Sequence, residues 1–553
     1  MNRLWLKSYP PGVPADIDPS RMTSLVQLLQ QACTTYRDRT AFEQMGRSMT
    51  FAQLDELTRD FAAWLQEAGM AKGDRIAIML PNTLQYPIAL FGALRAGLAV
   101  VNTNPLYTAR ELQHQLEDSG ATAILVLENF AHVVQEVAAH TRLKKVLVTA
   151  AGDFLGFPKS WIVNYVVRHR RKQVREWHIP GAVDFREAVR AGRKLPLNPV
   201  DVGPDDIAFL QYTGGTTGVA KGAMLTHANV SSNVLQAEAW LAGCFSQGSG
   251  VVITAIPLYH VFALTANCLL CAHLGLKNVL IINPRDCPAM LKELRKQPFA
   301  FFTGVNTLFN AMLNAPGFAS LDFSHLQVTL GGGMAVQESV AKRWKEVTGN
   351  VLTQAWGLTE TSPAAAINPT GEDFNGSIGL PVPSGEISIK DDQGQDLPLG
   401  EIGEICFRGP NVMRGYWNRP DETAKVMLPG GWLRTGDVGY MDQRGYVFIK
   451  DRKKDLILVS GFNVYPNEVE EVAATHPGIL ECAAVAQADE HSGEVVALYV
   501  VRKDPNLTEH EVIEFCRKSL AGYKVPKHVY FRSELPKSNV GKILRKELRE
   551  NAA

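Results

Sequence analysis

The stretch YTGGTTGVAKG (212–222) carries the densest chemistry in the chain. Gly214, Gly215, Gly218 and Gly222 stand among the hydroxyls of Thr213, Thr216 and Thr217, with one cation, Lys221. Glycine lets backbone N–H groups converge on an anion without Cβ interference, threonine adds donors, and lysine adds a point charge. Together they make a cradle for a polyphosphate. It is not a Gly-Lys-Ser/Thr loop, because Lys221 lies between Ala220 and Gly222. A flexible turn is the alternative for any glycine-rich stretch taken alone.

Other polar residues stand at the ends of apolar runs. His260 sits between aromatics in IPLYHVFAL (256–264), and TLGGGMAV (329–336) ends a strand-like run in Gly331, Gly332 and Gly333. QAWGLTETSP (354–363) places Gln354, Trp356 and Gly357 before Thr359 and Glu360. Asp437 follows Gly436 in GGWLRTGDVGY (430–440). Asp451 and Arg452 open a charge run that continues to Ser460, Gly461 and Phe462. Lys542 follows the turn-forming Asn539, Val540 and Gly541. Singly, these read as a core histidine, a turn aspartate, a solvated turn and a surface lysine.

The glycine-rich loop needs elements around it. Residues 207–210 read as a strand, Met224 and Leu225 resume an apolar pattern, and Thr226 is placed to cap a helix. Upstream, Ser24 and Gln27 read as a capping box before Leu25, Leu28, Leu29, Ala32 and Tyr36 at helical spacing. Thr50 and Gln53 repeat it ahead of Leu54, Leu57, Phe61, Trp64 and Leu65, and Gly69 ends that helix. Strands at 76–80, 100–101, 123–127 and 145–149 alternate with helices up to 97, at 109–118 and at 131–139. Such alternation predicts the α/β class, with doubly wound parallel sheets in a large N-terminal domain. Beyond Asp373, short alternating strands with glycine turns predict a small β-barrel-like subdomain. The last hundred residues read as a separate, mobile α+β domain, so the division is 1–450 and 451–553.

Bulk properties exclude some classes. Lys plus Arg and Asp plus Glu both number 56, so no net charge favours nucleic acid. Eight scattered cysteines suit a reducing compartment, and Cys268 with Cys271 reads as buried thiols rather than a metal pair. The N-terminus carries no apolar run of secretory-signal length. Residues 239–276 lack Asp, Glu, Lys and Arg, yet Pro257, His260, Asn267 and His273 interrupt them. A strand, a loop and a core helix are expected there, not a membrane span. WIVNYVVRHRRKQVREW (161–177) sets Trp161, Ile162, Tyr165 and Val166 before a basic run ending at Arg175. That pattern suits an anionic bilayer surface; a solvated helix docked by its apolar end is the alternative.

In order and spacing, these motifs resemble those of adenylate-forming enzymes: acyl-CoA synthetases, luciferases and the adenylation domains of peptide synthetases. The resemblance runs from about Leu25 to Leu548, and 430–454 is similar to the signature stretch of the fatty acyl-CoA synthetases. It implies ATP-dependent ligation of a long-chain fatty acid to coenzyme A through an acyl-adenylate, in the cytoplasm or at the inner face of the membrane. The resemblance also implies roles. Tyr212 and the loop to Lys221 hold ATP phosphates. Gly331, Gly332, Gly333, Gln354, Trp356 and Gly357 flank adenine. Thr359 bonds the α-phosphate and Glu360 holds Mg²⁺, a hard cation that takes carboxylate and phosphate oxygens. Asp437 and Arg452 bind ribose, and His260 packs beside the substrate carboxylate. Lys542 neutralises charge as that carboxylate attacks ATP. Ser460, Gly461 and Phe462 admit coenzyme A, and Asp451 is the hinge. The family usually has tyrosine where Trp356 stands, so the aromatic face is kept and a phenol contact is lost. An acyl-AMP ligase loading a carrier protein, a ligase for medium-chain or aryl acids, and a non-catalytic lipid-binding scaffold are the alternatives. Intact Glu360 and Lys542 speak against the scaffold. Acyl chain length and homodimer formation are left open.

Overall fold

Two large sheets dominate the architecture of the computed structural model, which describes residues 3–213, 220–245, 249–489, 491–538 and 541–550. The first has seven strands, in the order Val183–Asp184, Lys145–Thr149, Ala123–Leu127, Arg75–Met79, Ala99–Asn102, Ile207–Thr213, Lys221–Thr226. All pairs are parallel except the last. Their apolar runs lack alternation because helices cover both faces. The second has nine strands, and Val251–Thr254, Phe299–Gly304, Val328–Gly331 and Leu352–Gly357 form its parallel centre.

A seam of buried polar groups joins the two sheets. Tyr86 donates to Asn102 Oδ1 (2.7 Å) and accepts no share of solvent, being fully buried. Asn102 donates to Gln211 Oε1 (3.0 Å), and Gln211 donates to the Tyr259 carbonyl (2.8 Å). Asn82 donates to the carbonyls of Thr254 and Ile256, both at 3.0 Å. The strand leading into the glycine-rich loop is thereby tied to the segment carrying His260.

Local expectations meet the structure in detail. Thr50 and Gln53 form a complete capping box before the helix Phe51–Glu67. At the helix Leu25–Thr35, Ser24 accepts from Gln27 N, but Gln27 Oε1 takes the N–H of Thr23 instead of Ser24. Residues 239–276 hold the end of a helix, the strand Val251–Thr254 and a buried helical stretch with a π-turn at Leu264–Leu269. Among the described residues no helix is long and apolar enough to cross a membrane. All eight cysteines are free, with Cys268 and Cys271 buried.

The expected small subdomain is a five-stranded antiparallel sheet built on Gly403–Arg408 and Trp432–Met441. Its strand Val447–Arg452 pairs Asp451 with Val438 and Arg452 with Asp437. The C-terminal unit follows. Its sheet runs Phe462–Val464, Ile457–Val459, Gly493–Arg502, Ile479–Asp489, with His528–Arg532 also on Gly493–Arg502.

Asp451 belongs to both units. Its backbone lies in the ladder of the five-stranded sheet, while its buried carboxylate accepts from Asn467 N (2.8 Å) and faces Arg545 Nη1 at 3.5 Å. Burial pushes the Asp451 carboxyl up to about 6, against the pull of Arg545. Arg545 also binds Glu470 (2.8 Å) and Asn467 Oδ1 (2.7 Å), and lies 3.6 Å from Asp455. One guanidinium thus serves three largely buried carboxylates. Arg545→Met should leave Asp451 and Glu470 uncompensated, Asp455 keeping its bond to Arg549 (2.8 Å), and cost about 3 kcal/mol. Hydrogen exchange of the strand Ile479–Asp489 should then accelerate roughly a hundredfold if it opens with the C-terminal unit. Unchanged protection would remove Arg545 from the account of that unit's stability.

Candidate active site

The predicted residues gather where the parallel strands end, the usual ligand crevice of open α/β sheets. The strand Ile207–Thr213 runs antiparallel to Lys221–Thr226, with Thr213 opposite Lys221. The glycine-rich loop therefore joins two strands, and the helix His227–Trp240 comes after the second, capped by Thr226. Gly214, Gly215, Thr216, Thr217 and Gly218 lie outside the described residues. The phenol of Tyr212 donates to Asp118 Oδ2 (2.6 Å), and Asp118 Oδ1 also meets Arg419 (3.0 Å).

Lys221 pairs with Glu422 and lies 5.3 Å from the centre of the Tyr416 ring. The Tyr416 hydroxyl in turn donates to Glu360 Oε1 (2.6 Å). The backbone braces this chain: Met224 N bonds Gly415 O, Trp417 N bonds Gly222 O, and Met413 N bonds Glu360 O. Gly415 permits the brace at φ +144°, where a Cβ would meet Thr423 at 2.9 Å. Glu360 lines a cleft of about 210 Å³ that extends to Lys425, Arg434 and Gly436. Thr359 heads the 3₁₀ turn Thr359–Thr361 beside it. Tyr416 and Glu422 were not among the sequence candidates. The only cue to them is a glycine preceding two adjacent aromatics, Gly415-Tyr416-Trp417.

A second group surrounds Trp356. Its indole N–H donates to Asp437 Oδ2 (2.9 Å), and Arg452 Nε lies 3.0 Å from Asp437 Oδ1. The indole thus makes a polar contact of its own at the position where a phenol was expected to be missed. Asp437 is only 2% exposed, and its Oδ1 has no aligned hydrogen-bond donor among the described residues. The buried Gln354 Oε1 is likewise without a partner. Gln354 Oε1 is a place for a ligand's hydroxyl or amino donor, and Asp437 Oδ1 accepts one only beside its Arg452 ion pair. Gly332 abuts Ala355 O and the Phe262 ring, where a Cβ would sit at 3.1 and 3.3 Å. Gly331 and Gly333 flank it, the latter at φ +78°. Gly357 is compelled by its neighbour, since a Cβ would lie 1.8 Å from Pro363 O.

Lys542 reaches this group from the C-terminal unit. Burial brings its ammonium down to about 8, and Arg452, Lys454 and Arg545 press the same way against Asp437. His260 is held near 4, first by burial and then by the charge of Lys542. Its Nδ1 accepts from Phe262 N at 3.4 Å. Ser460, Gly461 and Phe462 are not part of the gathering. Ser460 and Gly461, at φ +50° and +84°, form the two-residue turn between Ile457–Val459 and Phe462–Val464. This hairpin lies at one edge of its sheet, and Phe462 is 59% exposed against Tyr523. The segment carrying Lys542 packs by the opposite edge strand, where Lys537 pairs with Glu481 and bridges to Ile543.

The two large sheets, the small C-terminal domain and this crevice define an adenylate-forming enzyme fold. The chain belongs to the AMP-binding enzyme family, matching it over residues 29–417 and matching its C-terminal domain over 468–542. It is 54% identical to a long-chain-fatty-acid–CoA ligase of Escherichia coli O6:H1, over 100% of this chain and 99% of that protein. It is 38% identical to the long-chain-fatty-acid–CoA ligase of Bacillus subtilis, over 99% of this chain and 97% of that protein. ATP-bound MatB from Rhodopseudomonas palustris is similar in structure, with a TM-score of 0.82 at 27% identity, covering 95% of this chain and 98% of that one. Apo MatB gives 0.72 at the same identity and coverage.

The Trp356–Asp437 bond has a measurable weight. Trp356→Phe keeps an aromatic ring and removes the only donor aligned on Asp437 Oδ2 among the described residues, at a cost of about 1–3 kcal/mol. The melting temperature of the large domain should fall by roughly 1–3 °C, and Trp356→Tyr should lose less. Identical melting of wild type and the phenylalanine variant would mean that the bond carries no stability.

Proposed function

We propose that this protein ligates a long-chain fatty acid to coenzyme A through an acyl-adenylate. The observation that carries the reading is the convergence of Lys542, Arg452, Asp437 and Trp356 on one crevice beside His260. In the first step a carboxylate oxygen attacks the α-phosphorus of ATP, and the bond to pyrophosphate breaks. Positioning and charge stabilisation supply most of the catalysis in such transfers. Asp437 accepts from the ribose hydroxyls alongside its contacts to Arg452 and Trp356, and Trp356 offers its ring face to adenine. Lys221 exchanges Glu422 for phosphate oxygens, and Lys542 neutralises the charge that builds at the α-phosphate. Thr359 bonds the same phosphate. Among the described residues no three His, Cys, Asp or Glu side chains form a metal cluster. A lone carboxylate, Glu360, fits Mg²⁺ that takes its other ligands from phosphate and water. The ion supplies neutralisation of the triphosphate.

In the second step the thiolate of coenzyme A attacks the acyl-adenylate carbonyl and AMP leaves. Ser460, Gly461 and Phe462 are the residues proposed for it, and they sit at the sheet edge opposite Lys542. One pose cannot present both edges to one carbon, so a rotation at Asp451 separates the steps. The domains are then 1–450 and 451–553. The higher similarity to ATP-bound than to apo MatB supports a first-step pose here.

Pyrophosphate exchange with ATP and Mg²⁺, across fatty acids of graded length, tests the first step. Long chains should support exchange best. Lys542→Ala should slow exchange by at least about tenfold, the equivalent of roughly 1.4 kcal/mol, yet still convert supplied acyl-AMP to thioester. In wild type kcat/KM for ATP should fall as pH rises past about 8, where free Lys542 loses its proton. Equal loss of both half-reactions would sink the assignment of Lys542.

We also propose that the segment Trp161 to Arg175, with the exposed Phe157 just before it, rests on an anionic bilayer, at the inner face of the membrane. The helix Lys159–Tyr165 and its π-turn Val166–Arg170 are held inward by polar residues. Asn164 binds Gly152 N (2.8 Å) and Asp153 (3.0 Å), and Arg168 forks onto the buried Glu128 at 2.7–3.0 Å. The apolar side faces out instead, which reverses the docked-helix alternative: Phe157 is 90% and Trp161 63% exposed, with Ile162 and Tyr165 beside them. No acidic residue lies between Asp153 and Glu176, and Arg170, Arg171, Lys172 and Arg175 are exposed. Aromatics at headgroup depth with a basic collar suit anionic lipid. Vesicles with phosphatidylglycerol should bind the protein, less so in high salt. Joint Trp161→Ala and Tyr165→Ala should weaken binding while activity on a short, soluble acid persists. Equal binding to neutral vesicles, or none, would rule the surface out.

A further inference from the structure

We propose that Thr307 and Asn310 are positioning residues, a latch that holds the Lys542 loop in the pose for acyl-adenylate formation. The inference rests on the two-step reading above and names what fixes its first pose. Both residues lie on the helix Asn306–Asn314, three apart and therefore on one face. Thr307 Oγ1 donates to Gly541 O at 3.0 Å, on the residue next to Lys542. Asn310 Nδ2 donates to Leu480 O at 3.1 Å, at the start of the edge strand Ile479–Asp489. Gly541 stands at φ +84°, and a Cβ there would come within 2.8 Å of Thr307 Oγ1 and 3.2 Å of Val305. Its lack of a side chain is what lets the loop close on the helix.

Beside this helix the boundary is open, with other ties at the connecting strand, where Arg452 meets Asp437 and Lys453 meets Asp392. A cleft of about 260 Å³ opens between the units, lined by Asn310, Gln337, Arg343, His476, Leu480 and Lys503. Beside it, Glu471 of the C-terminal unit faces the charge of Glu338 on the large domain; burial first, and then Glu338, raise its carboxyl. Two neutral hydrogen bonds thus cross an open crevice beside a like-charge pair that Lys342 and Lys450 partly offset. Each such bond is worth a factor of about three to ten, enough to bias a pose and too little to lock it.

The test uses the full-length protein with Thr307→Val and Asn310→Leu, singly and together. Pyrophosphate exchange should lose about three- to tenfold in kcat per bond, with KM for ATP little changed. Thioester formation from supplied acyl-AMP should be unchanged or faster, and Thr307→Ser should restore exchange. A readout free of catalysis accompanies these: trypsin cleavage after Arg452 to Lys454 in the substrate-free protein should quicken in both variants. The latch is overturned if both half-reactions fall together, if neither moves, or if serine fails to rescue. A wild type that exchanges pyrophosphate with no carboxylic acid would overturn the ligase reading instead, and the cleavage rates would then decide the latch.

Discussion

The seam of buried amides and hydroxyls between the two large sheets is the constraint on which the site depends. Tyr86, Asn102 and Gln211 form a chain that ends on the Tyr259 carbonyl, one residue before His260. A desolvated amide that loses its partner is costly, so each member fixes the next. Apolar packing alone would tolerate a slide of one sheet on the other; a hydrogen-bonded chain admits one register. The carboxyl ends of the strands consequently meet at one place, and the crevice there takes its shape from the seam.

Charge is handled differently in the two halves of the crevice. Around Asp437 the charges are buried and mutually dependent, with Arg452 on one oxygen and an indole on the other. Around Lys221 they are closer to solvent and interchangeable, since Glu422 also contacts Lys425. A rigid, dry pocket suits a group that must be recognised. A pair that trades partners at low cost suits a group that arrives highly charged and departs.

Much of the fold was legible because its elements are local. The capping box at Thr50, the glycines at 69 and 97 and the alternation of strand with helix are written in neighbouring residues. The motifs at 354–363 and 430–454 also hold residues that the structure brings together, among them Trp356, Asp437 and Arg452. What escaped are contacts between residues distant in the chain. Trp356 with Asp437, Lys221 with Glu422 and Thr307 with Gly541 depend on the completed fold, and neither propensity nor period encodes them. The segment 157–175 shows the boundary well. Its basic, amphipathic pattern from Trp161 to Arg175 is local, but its orientation is set by Glu128 and Asp153, which lie on other elements. The roles at Ser460, Gly461 and Phe462 came from resemblance; their displacement to the far edge of a sheet could not.

That displacement has a temporal meaning. Lys542 and the Ser460–Gly461 turn are carried by one small domain, toward opposite edges of its sheet. Under the proposed roles, the domain works as an escapement. While it serves the phosphate it withholds the thiol's entry, and turning to admit the thiol withdraws the lysine that would favour the reverse attack of pyrophosphate. Sequence of events is then a property of shape, and the activated acid is handed onward with its return path closed behind it.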